Sequence, residues 1–226
     1  MFVPALVGPS GDKVMEFKYS CFISYRDYTK NETNSQLIRD LHEALSDEMQ
    51  FHLEAPVFLD EERLGPGYSY NEVLATALCE SLCMLLVYTP RYFDAGGTYC
   101  AREYRAMVEL EKERLRSLPN ADLKRIGLII PIVIRGEDDL PAEIKSSRTY
   151  WDFGAMTLAE PVKRHPEYAR KIKELATHIG RLYKAYKSLS EVHRECDSYR
   201  LPMENDDGFK EWLSGVTAPP TKFPLR

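Results

Sequence analysis

Apolar and polar residues follow one another along this chain in blocks that predict strands and helices in alternation. Short runs rich in apolar residues predict five strands, at residues 17–24, 56–59, 82–88, 126–134 and 150–153. Between them, apolar positions recur every three or four residues and predict amphipathic helices around residues 36–49, 70–78, 99–116 and 168–182. This order predicts an α/β fold, a doubly wound five-stranded parallel sheet with helices on both faces.

Three further patterns refine these elements. Every position of 82–88 is apolar, which is typical of a central strand covered by helices on both faces. Pro131 has no amide hydrogen, which predicts that the strand around it lies near the sheet edge. Ser69 and Glu72 have the spacing of a capping box and predict the start of the second helix. The strand at 82–88 is therefore expected in the middle of the sheet.

The chain divides into one domain and two flanking segments. Residues 1–15 are expected to form an N-terminal arm, residues 16–186 carry the α/β pattern, and in residues 187–226, a C-terminal extension, that pattern weakens. Phe209, Trp212 and Leu213 predict a short helix in this extension that packs back on the domain.

Composition narrows the possible partners. The 226-residue chain has a formal net charge of −5 and a pI near 5.6, and no basic stripe stands out, so we expect no nucleic-acid binding. The longest apolar runs are far shorter than the roughly 20 residues that cross a bilayer. Residues 1–6 lack the basic and long apolar regions of a signal peptide. We therefore expect no membrane association and a cytoplasmic location.

The residue types that bind metals show no pattern of a metal site. The five cysteines are an odd number, and four of them lie in or beside apolar segments, namely Cys21, Cys79, Cys83 and Cys100. This favours buried thiols in a reducing cytosol over a disulfide framework. Cys79 and Cys83 are four residues apart but straddle a helix end and a strand, which disfavours zinc binding. The histidines lie among charged residues and are interpreted as surface groups, namely His42, His52, His165, His178 and His193.

Candidate chemistry lies at the ends of two predicted strands. Residues 21–27 end the first strand, and residues 98–104 follow the third strand and open a helix. Ligands of open α/β sheets bind at the carboxyl ends of the strands, so the carboxylate of Glu103 is a candidate reaction centre. A simpler interpretation has Glu103 only complementing the helix dipole. Cys100 is interpreted as a core thiol, because no histidine is near it in the sequence.

Three motifs, in their sequence and in their order along the chain, resemble the Toll/interleukin-1 receptor (TIR) domain family over residues 16–186. They are Cys-Phe-Ile-Ser-Tyr-Arg-Asp at 21–27, Phe-Leu-Asp at 58–60 followed by Arg63-Leu64 and Gly65-Pro66-Gly67, and Tyr-Cys-Ala-Arg-Glu at 99–103. The third motif stands where TIR domains carry Trp-Cys-x-x-Glu. The resemblance implies the flavodoxin-like TIR fold, with each motif at the carboxyl end of its strand.

The resemblance also implies site residues. Glu103 matches the catalytic glutamate of the family, four residues after the aromatic residue of the third motif, where Tyr99 replaces the usual tryptophan. In family members the turn after the first strand contacts the dinucleotide, and the loop after the second strand, here 60–67, gates the site and contacts neighbouring subunits. The implied NAD+-binding residues are Phe22, Ser24, Tyr25, Arg26, Asp60, Arg63, Gly67 and Tyr99. The two arginines bind phosphate or pair with nearby acids. No metal is implied, and NAD+ is the substrate, not a cofactor.

TIR domains either signal as self-associating scaffolds or cleave NAD+. For this chain the resemblance implies an NAD+ glycohydrolase or cyclase that releases nicotinamide together with ADP-ribose or a cyclic ADP-ribose isomer. The implied setting is immune or anti-phage defence signalling, with activation by self-association through TIR surfaces and the 60–67 loop. The expected partners beside NAD+ are further copies of the domain, an upstream sensor and a downstream nucleotide-binding effector.

Three alternatives stay open at this point. The first is a non-catalytic TIR interaction module in signalling. The second is an enzyme like the nucleoside deoxyribosyltransferases, which share a related α/β layout and a catalytic carboxylate but act on free nucleosides. The third is a phosphoacceptor receiver domain, which requires an acidic cluster after the first strand. Ser24, Tyr25 and Arg26 do not supply that cluster.

Overall fold

The computed structural model describes residues 17–27, 32–60, 70–94, 98–118, 124–156, 162–187 and 196–217, in which strands and helices alternate. The strands are β1 (Tyr19–Tyr25), β2 (Val57–Phe58), β3 (Ser81–Tyr88), β4 (Ile129–Val133) and β5 (Trp151–Asp152). The helices are α1 (Glu32–Met49), α2 (Tyr70–Glu80), α3 (Tyr99–Ser117), α4 (Ala142–Ser147), α5 (Pro166–Lys187) and α6 (Asp207–Thr217). Short 3₁₀ turns lie at Glu137–Asp139 and Val162–Arg164.

Within the described residues, five parallel strands form one sheet in the order β2-β1-β3-β4-β5. The predicted doubly wound α/β fold is therefore confirmed, and β3, buried at every position, is the middle strand. Crossovers between parallel strands are right-handed. The chain moves one way from β1 to β2 and the opposite way from β2 through β3 to β4, so α1 covers one face and α2 and α3 cover the other. In agreement, α1 packs against α5, and α2 packs against α3.

Pro131 lies on β4, one strand in from the edge, which confirms its predicted place. Successive residues of β4 bond alternately to the two neighbouring strands, because Ile134 donates to β3 and Val133 accepts from the residue after β5. Pro131 is two residues from Val133, so its backbone, like that of Val133, faces β5. The pairing with β5 starts only at Ile132, opposite Trp151. The missing amide hydrogen of the proline therefore breaks no ladder bond between paired residues.

The long helices are amphipathic. α5 buries a stripe with helical spacing, and this stripe confirms the predicted final helix. Its buried members include Tyr168, Ile172, Leu175, Ala176, Ile179 and Leu182. In the part of the chain that the structure describes, no helix has the combination of length and hydropathy that a membrane span requires.

Two buried charged residues fix α3, the helix that carries Glu103, against the sheet. The Arg114 guanidinium donates hydrogen bonds to the backbone carbonyls of Cys79, Ser81 and Leu82 at 2.6, 2.7 and 3.0 Å. The Glu111 carboxylate accepts a two-point ion pair from Arg148 and a hydrogen bond from the Leu128 amide just before β4. Both side chains are satisfied by partners on the sheet side, so they hold α3 in a fixed register.

The expectation that the cysteines are all reduced thiols is wrong. Cys79, at the end of α2, forms a disulfide with Cys196, across a sequence separation of 117 residues. Cys196 begins the last described segment, which the fold brings back to α2. Cys21, Cys83 and Cys100 are free and buried, as predicted.

The C-terminal segment (residues 196–217) packs on α3 and α4. The Tyr199 hydroxyl donates a 2.9 Å hydrogen bond to the Ala106 carbonyl of α3, and the Trp212 indole donates to Glu143 on α4 at 3.0 Å. Phe209 and Leu213 of α6 are buried, which confirms the predicted short helix. This segment therefore covers part of α3, the helix that carries Glu103.

The interpretation of the histidines as surface groups is only partly correct. His42, His52, His165 and His178 are all half-buried, and His193 lies outside the described residues. Burial, followed by the positive charge of Arg181, lowers the pKa of His178. For His42 on α1 and His178 on α5, the charged neighbours in the sequence misled the interpretation, because a helix places adjacent residues on different faces.

Candidate active site

The carboxyl ends of β1 and β3 meet the start of α3 at one edge of the sheet. Tyr25, at the end of β1, pairs with Val87 near the end of the neighbouring strand β3. α3 begins at Tyr99, after the loop that follows β3. Glu103 is the fifth residue of α3, so it lies about one turn into the helix. From there its side chain reaches Ser24 on β1.

Glu103 is buried and is held by a hydrogen bond from β1. Only 5% of the residue is exposed, and its Oε2 accepts a 2.6 Å hydrogen bond from the Ser24 hydroxyl. The oxygen of that hydroxyl lies 2.5 Å from the hydroxyl oxygen of Tyr92, in the loop after β3. Ser24 and Tyr92 are buried as well. Side chains from three separate parts of the chain therefore form one buried hydrogen-bonded chain that ends at a carboxyl group.

The pKa of Glu103 is raised to about 8, from an ordinary value of 4.5. Desolvation is the largest cause, because burial disfavours the charged form. The hydrogen bond from Ser24 and the positive charge of Arg102 lower the pKa, and the negative charge of Asp60 raises it. Strongly perturbed carboxyl groups of this kind cluster at functional sites.

The simpler interpretation of Glu103, as a group that complements the helix dipole, does not account for this environment. A dipole interaction contributes roughly 0.3–1 kcal/mol for an exposed side chain, whereas Glu103 is almost fully buried. Its hydrogen-bond donor is a hydroxyl on β1. The residue at the helix cap, Thr98, makes no side-chain capping bond and donates instead to Glu204. Glu103 is therefore oriented by tertiary contacts toward the edge of the sheet.

Cys100 is a core thiol, as predicted. Its Sγ donates to the backbone carbonyl of Tyr25 at 3.1 Å. Burial and then the charge of Glu103 raise the pKa of this thiol well above its ordinary value, and Arg26 lowers it while Asp60 raises it. A thiol that stays protonated is a poor nucleophile. Because their charges act on the Cys100 thiol, Arg26 and Asp60 lie near this buried edge of the sheet.

The structure brings together five of the residues expected to contact NAD+. Ser24 bonds Glu103, and Tyr25 contributes its carbonyl to Cys100. Arg26 and Asp60 exert their charges on this cluster. Tyr99 begins the helix beside it. Two of the expected residues, Arg63 and Gly67, lie outside the described residues together with the rest of the 60–67 loop beyond Asp60.

Phe22 lies apart from the other expected residues. It is 1% exposed, and its ring stacks on Phe58 with a centroid distance of 5.1 Å. Phe22 precedes Ser24 by two residues, which places it roughly 6–7 Å deeper along the strand. Its side chain therefore belongs to the core and does not line this edge of the sheet.

Tyr99 lies at the rim of the site. It is 37% exposed, and the Arg102 guanidinium lies 5.3 Å from the centre of its ring. Arg102 is fixed by the carbonyl of Pro202 at 2.6 Å, by Asn71 at 3.1 Å and by the Glu204 carboxylate at 3.6 Å. The aromatic surface of Tyr99 is thus held in place by an arginine that the C-terminal segment anchors.

Sequence reasoning missed Tyr92, Pro202 and Glu204. Tyr92 lies in the loop after β3, and its place after a central strand was the only signal that pointed to the site. Pro202 and Glu204 lie in the C-terminal extension, about 100 residues from Arg102 and Thr98, which they contact. No local pattern connects residues so far apart.

No metal site is found in the described part of the chain. No group of three or more histidine, cysteine, aspartate or glutamate side chains among these residues could hold a metal ion. A depression of about 230 Å³ lies between α1 and α5, and its lining includes Glu43, Asp47 and Lys163 but no residue of the Glu103 cluster.

The doubly wound five-stranded parallel sheet agrees with the TIR fold that the three motifs imply. A profile of the TIR domain family matches residues 21–164, more than half of the chain, and this protein belongs to that family. A search of curated proteins found no match.

Among solved structures, the chain is similar to the TIR domains in a structure of the activated Roq1 resistosome directly recognizing the pathogen effector XopQ. The identity is 17%, the match covers 72% of this chain and 84% of the other, and the TM-score is 0.39.

Proposed function

We propose that this TIR domain cleaves NAD+ at the bond between nicotinamide and ribose, in immune defence signalling, and that self-association activates it. The observation that supports the proposal is the buried carboxyl group of Glu103, bonded to Ser24 at the carboxyl edge of the sheet. Parallel α/β sheets bind their ligands at this edge. NAD+ is the substrate, and the residues named below need no further cofactor.

The chemistry requires one carboxylate. The glycosidic bond breaks with its electron pair going to the nitrogen of nicotinamide, which leaves as a neutral molecule because the ring was cationic. Positive charge develops on the ribose, as in glycoside cleavage. A fixed Glu103 carboxylate beside the ribose stabilises this charge as it forms. Water then attacks the ribose carbon and releases a proton, giving ADP-ribose, or a nitrogen of the adenine attacks and gives a cyclic isomer.

Burial of Glu103 suits this role. A carboxylate in a water-poor site interacts more strongly with a nearby charge than an exposed carboxylate does. The pKa of Glu103, raised to about 8, keeps the group largely protonated in the free protein near neutral pH. The positive nicotinamide ring of bound NAD+ favours the ionised form, because an opposite charge lowers the pKa of an acid. Substrate binding thus promotes release of the Glu103 proton to the solvent and leaves the carboxylate that the reaction requires.

Two side chains at the rim are proposed to hold the rest of the substrate. Arg26 follows β1 and carries a positive charge near Cys100, where it can pair with the pyrophosphate. The 37%-exposed ring of Tyr99 offers a surface on which a base can stack. Tyrosine retains the aromatic surface of the family's tryptophan at this position.

Incubation of the concentrated purified protein with NAD+ tests the proposal directly. We expect free nicotinamide, identified by chromatography and mass spectrometry. The mass of the accompanying product distinguishes ADP-ribose from a cyclic isomer, which is lighter by one water. Absence of turnover at high protein concentration, with and without a crowding agent, contradicts the proposal and favours the non-catalytic interaction module.

Self-association is tested by the dependence of specific activity on protein concentration. If neighbouring subunits complete the site through the 60–67 loop, turnover per protein molecule rises with concentration, because more sites are completed by mass action. The measurement is nicotinamide release over a range of protein concentrations, with the oligomeric state followed by light scattering in the same samples. Constant specific activity, while the oligomeric state changes, indicates a self-sufficient monomer.

A further inference from the structure

The Ser24 hydroxyl lies between two partners, the hydroxyl group of Tyr92 and the carboxyl group of Glu103, and it has one hydrogen to donate. Its hydroxyl donates to Oε2 of Glu103 at 2.6 Å. An ionised carboxylate only accepts hydrogen bonds, so the one hydrogen of Ser24 is then committed to Glu103. When Glu103 is ionised, the 2.5 Å contact between the Ser24 and Tyr92 hydroxyl oxygens is therefore a hydrogen bond donated by Tyr92. In this state the donor order is Tyr92 to Ser24 to Glu103.

We propose that Tyr92 is a positioning residue, whose hydroxyl fixes the Ser24 hydroxyl in the orientation that holds the Glu103 carboxylate for catalysis. The expected effect of Tyr92 on catalysis rests on the proposed function. The expected effect of Tyr92 on the pKa of Glu103 does not, because it depends only on the hydrogen bonds that join Tyr92, Ser24 and Glu103.

The Tyr92 hydroxyl is suited to this task because its position is fixed. The residue is 0% exposed, and its amide donates a 2.9 Å bond to the Thr89 carbonyl, which closes a tight turn directly after β3. Its ring packs edge-on against Phe93 with a centroid distance of 4.8 Å. Fixed dipoles stabilise a charge without reorganisation at the moment of reaction. Through its hydrogen bond to Ser24, the fixed Tyr92 hydroxyl therefore restricts the movement of the Glu103 carboxyl group.

Removing the Tyr92 hydroxyl frees Ser24 to rotate and weakens its bond to Glu103. Hydrogen bonds in a chain polarise one another, so loss of the first donor also weakens the second bond. A weaker bond to the ionised form raises the pKa of Glu103 further. The other titratable or charged groups near Glu103 stay in place, namely Asp60 after β2, Cys100 and Arg102 on α3, and Arg26 after β1.

Tyr92→Phe tests the proposal, with Tyr88→Phe as the matched control. Tyr88 is also buried and also donates a hydrogen bond, at 2.6 Å to the Asp139 carbonyl, away from Glu103. We expect Tyr92→Phe to lower kcat/KM about tenfold at neutral pH and to move the pH profile of kcat/KM to higher pH by about one unit. Tyr88→Phe should leave the profile where it is. A purely structural role for Tyr92 would lower stability without moving the profile.

A second readout does not depend on activity. The carboxyl signals of glutamate labelled with carbon-13 are titrated by NMR, and Glu103 is assigned from the signal missing in Glu103→Gln. The pKa of Glu103 is expected to rise in Tyr92→Phe and in Ser24→Ala. In the Ser24→Ala background, Tyr92→Phe should add nothing, because Tyr92 acts through Ser24.

The outcomes separate the two proposals. An unchanged pKa of Glu103 in Tyr92→Phe, or an additional shift in the Ser24→Ala background, overturns the role of Tyr92. If the pKa of Glu103 shifts in Tyr92→Phe but the wild-type protein releases no nicotinamide, the effect of Tyr92 on Glu103 is supported and the proposed function is contradicted. If Tyr92→Phe does not fold, comparison of Ser24→Ala with the wild type decides, because an unchanged pKa there excludes any effect carried through Ser24.

Discussion

Replacing Glu103 with glutamine is expected to lower kcat for NAD+ cleavage at least about 100-fold while the fold stays intact. Glutamine has the same size, and its amide oxygen still accepts the hydrogen bond from Ser24. It carries no charge, so it cannot stabilise the positive charge that develops on the ribose. The measurement is nicotinamide release at saturating NAD+, with the fold compared by circular dichroism.

Glu109→Gln is the matched control for this prediction. Glu109 lies on the same helix and is exposed, and among the described residues it pairs with Lys112 and Arg105 at the surface. Its replacement makes the same chemical change on α3 and should leave kcat within about twofold, because surface ion pairs contribute little. Wild-type turnover in a folded Glu103→Gln protein would end the assignment of Glu103 as the catalytic residue.

Glu103→Gln is also expected to raise the free energy of unfolding at alkaline pH. This gain should disappear at acid pH. In the folded state Glu103 holds its proton up to about pH 8, whereas in the unfolded chain it loses the proton near pH 4.5. Between these values the folded protein binds more protons, so its free energy of unfolding falls as the pH rises. Below about pH 4.5 both states are protonated and the stability contribution is complete; above about pH 8 it is lost.

The expected size follows from the shift of the pKa. The shift from 4.5 to about 8 is about 3.5 pKa units and corresponds to about 5 kcal/mol. This energy is the upper limit for the gain in stability of Glu103→Gln over the wild type between pH 4.5 and pH 8.5. Urea unfolding of both proteins at the two pH values measures this difference. Glu109→Gln should show no such pH-dependent gain. Equal effects of pH on Glu103→Gln and wild type would mean that Glu103 has an ordinary pKa in the folded protein.

These two predictions express one property of the site. A carboxyl group buried at the edge of a sheet lowers stability in its charged form, and the charged form is the one proposed to act on NAD+. Loss of activity together with a gain of stability is the typical result of removing a functional group from a preorganised site. A residue that served only the fold would show the opposite combination.

The regular elements of the fold were predictable because burial imposes a period on the sequence. β3 is apolar throughout because both its faces are covered, and α5 repeats its apolar residues with helical spacing because one face is covered. The strands β2 and β5, each of two residues, are shorter than the apolar runs that predicted them. Apolar character indicates burial, but only pairing with a neighbouring strand defines where a strand begins and ends.

The site was predictable as far as a motif gives positions along the chain. Ser24 and Glu103 were both identified from motifs, and they lie in contact. The direction of a side chain and the depth of its burial are not contained in a motif. Phe22 belongs to the first-strand motif but packs in the core on Phe58, because it lies too deep along β1 to reach the edge.

The sequence by itself determined the order of strands and helices, the edge of the sheet where the motif residues meet, and the identity of Glu103 as the residue of interest, because these depend on local periodicity and on short motifs. Only the tertiary structure decided that Tyr92 bonds Ser24, that Cys79 pairs with Cys196, and that Pro202 fixes Arg102. These contacts join residues separated by 68 to 117 positions. Their partners are chosen by how the helices and the sheet pack, and the pKa of a buried carboxyl group depends on that packing as well.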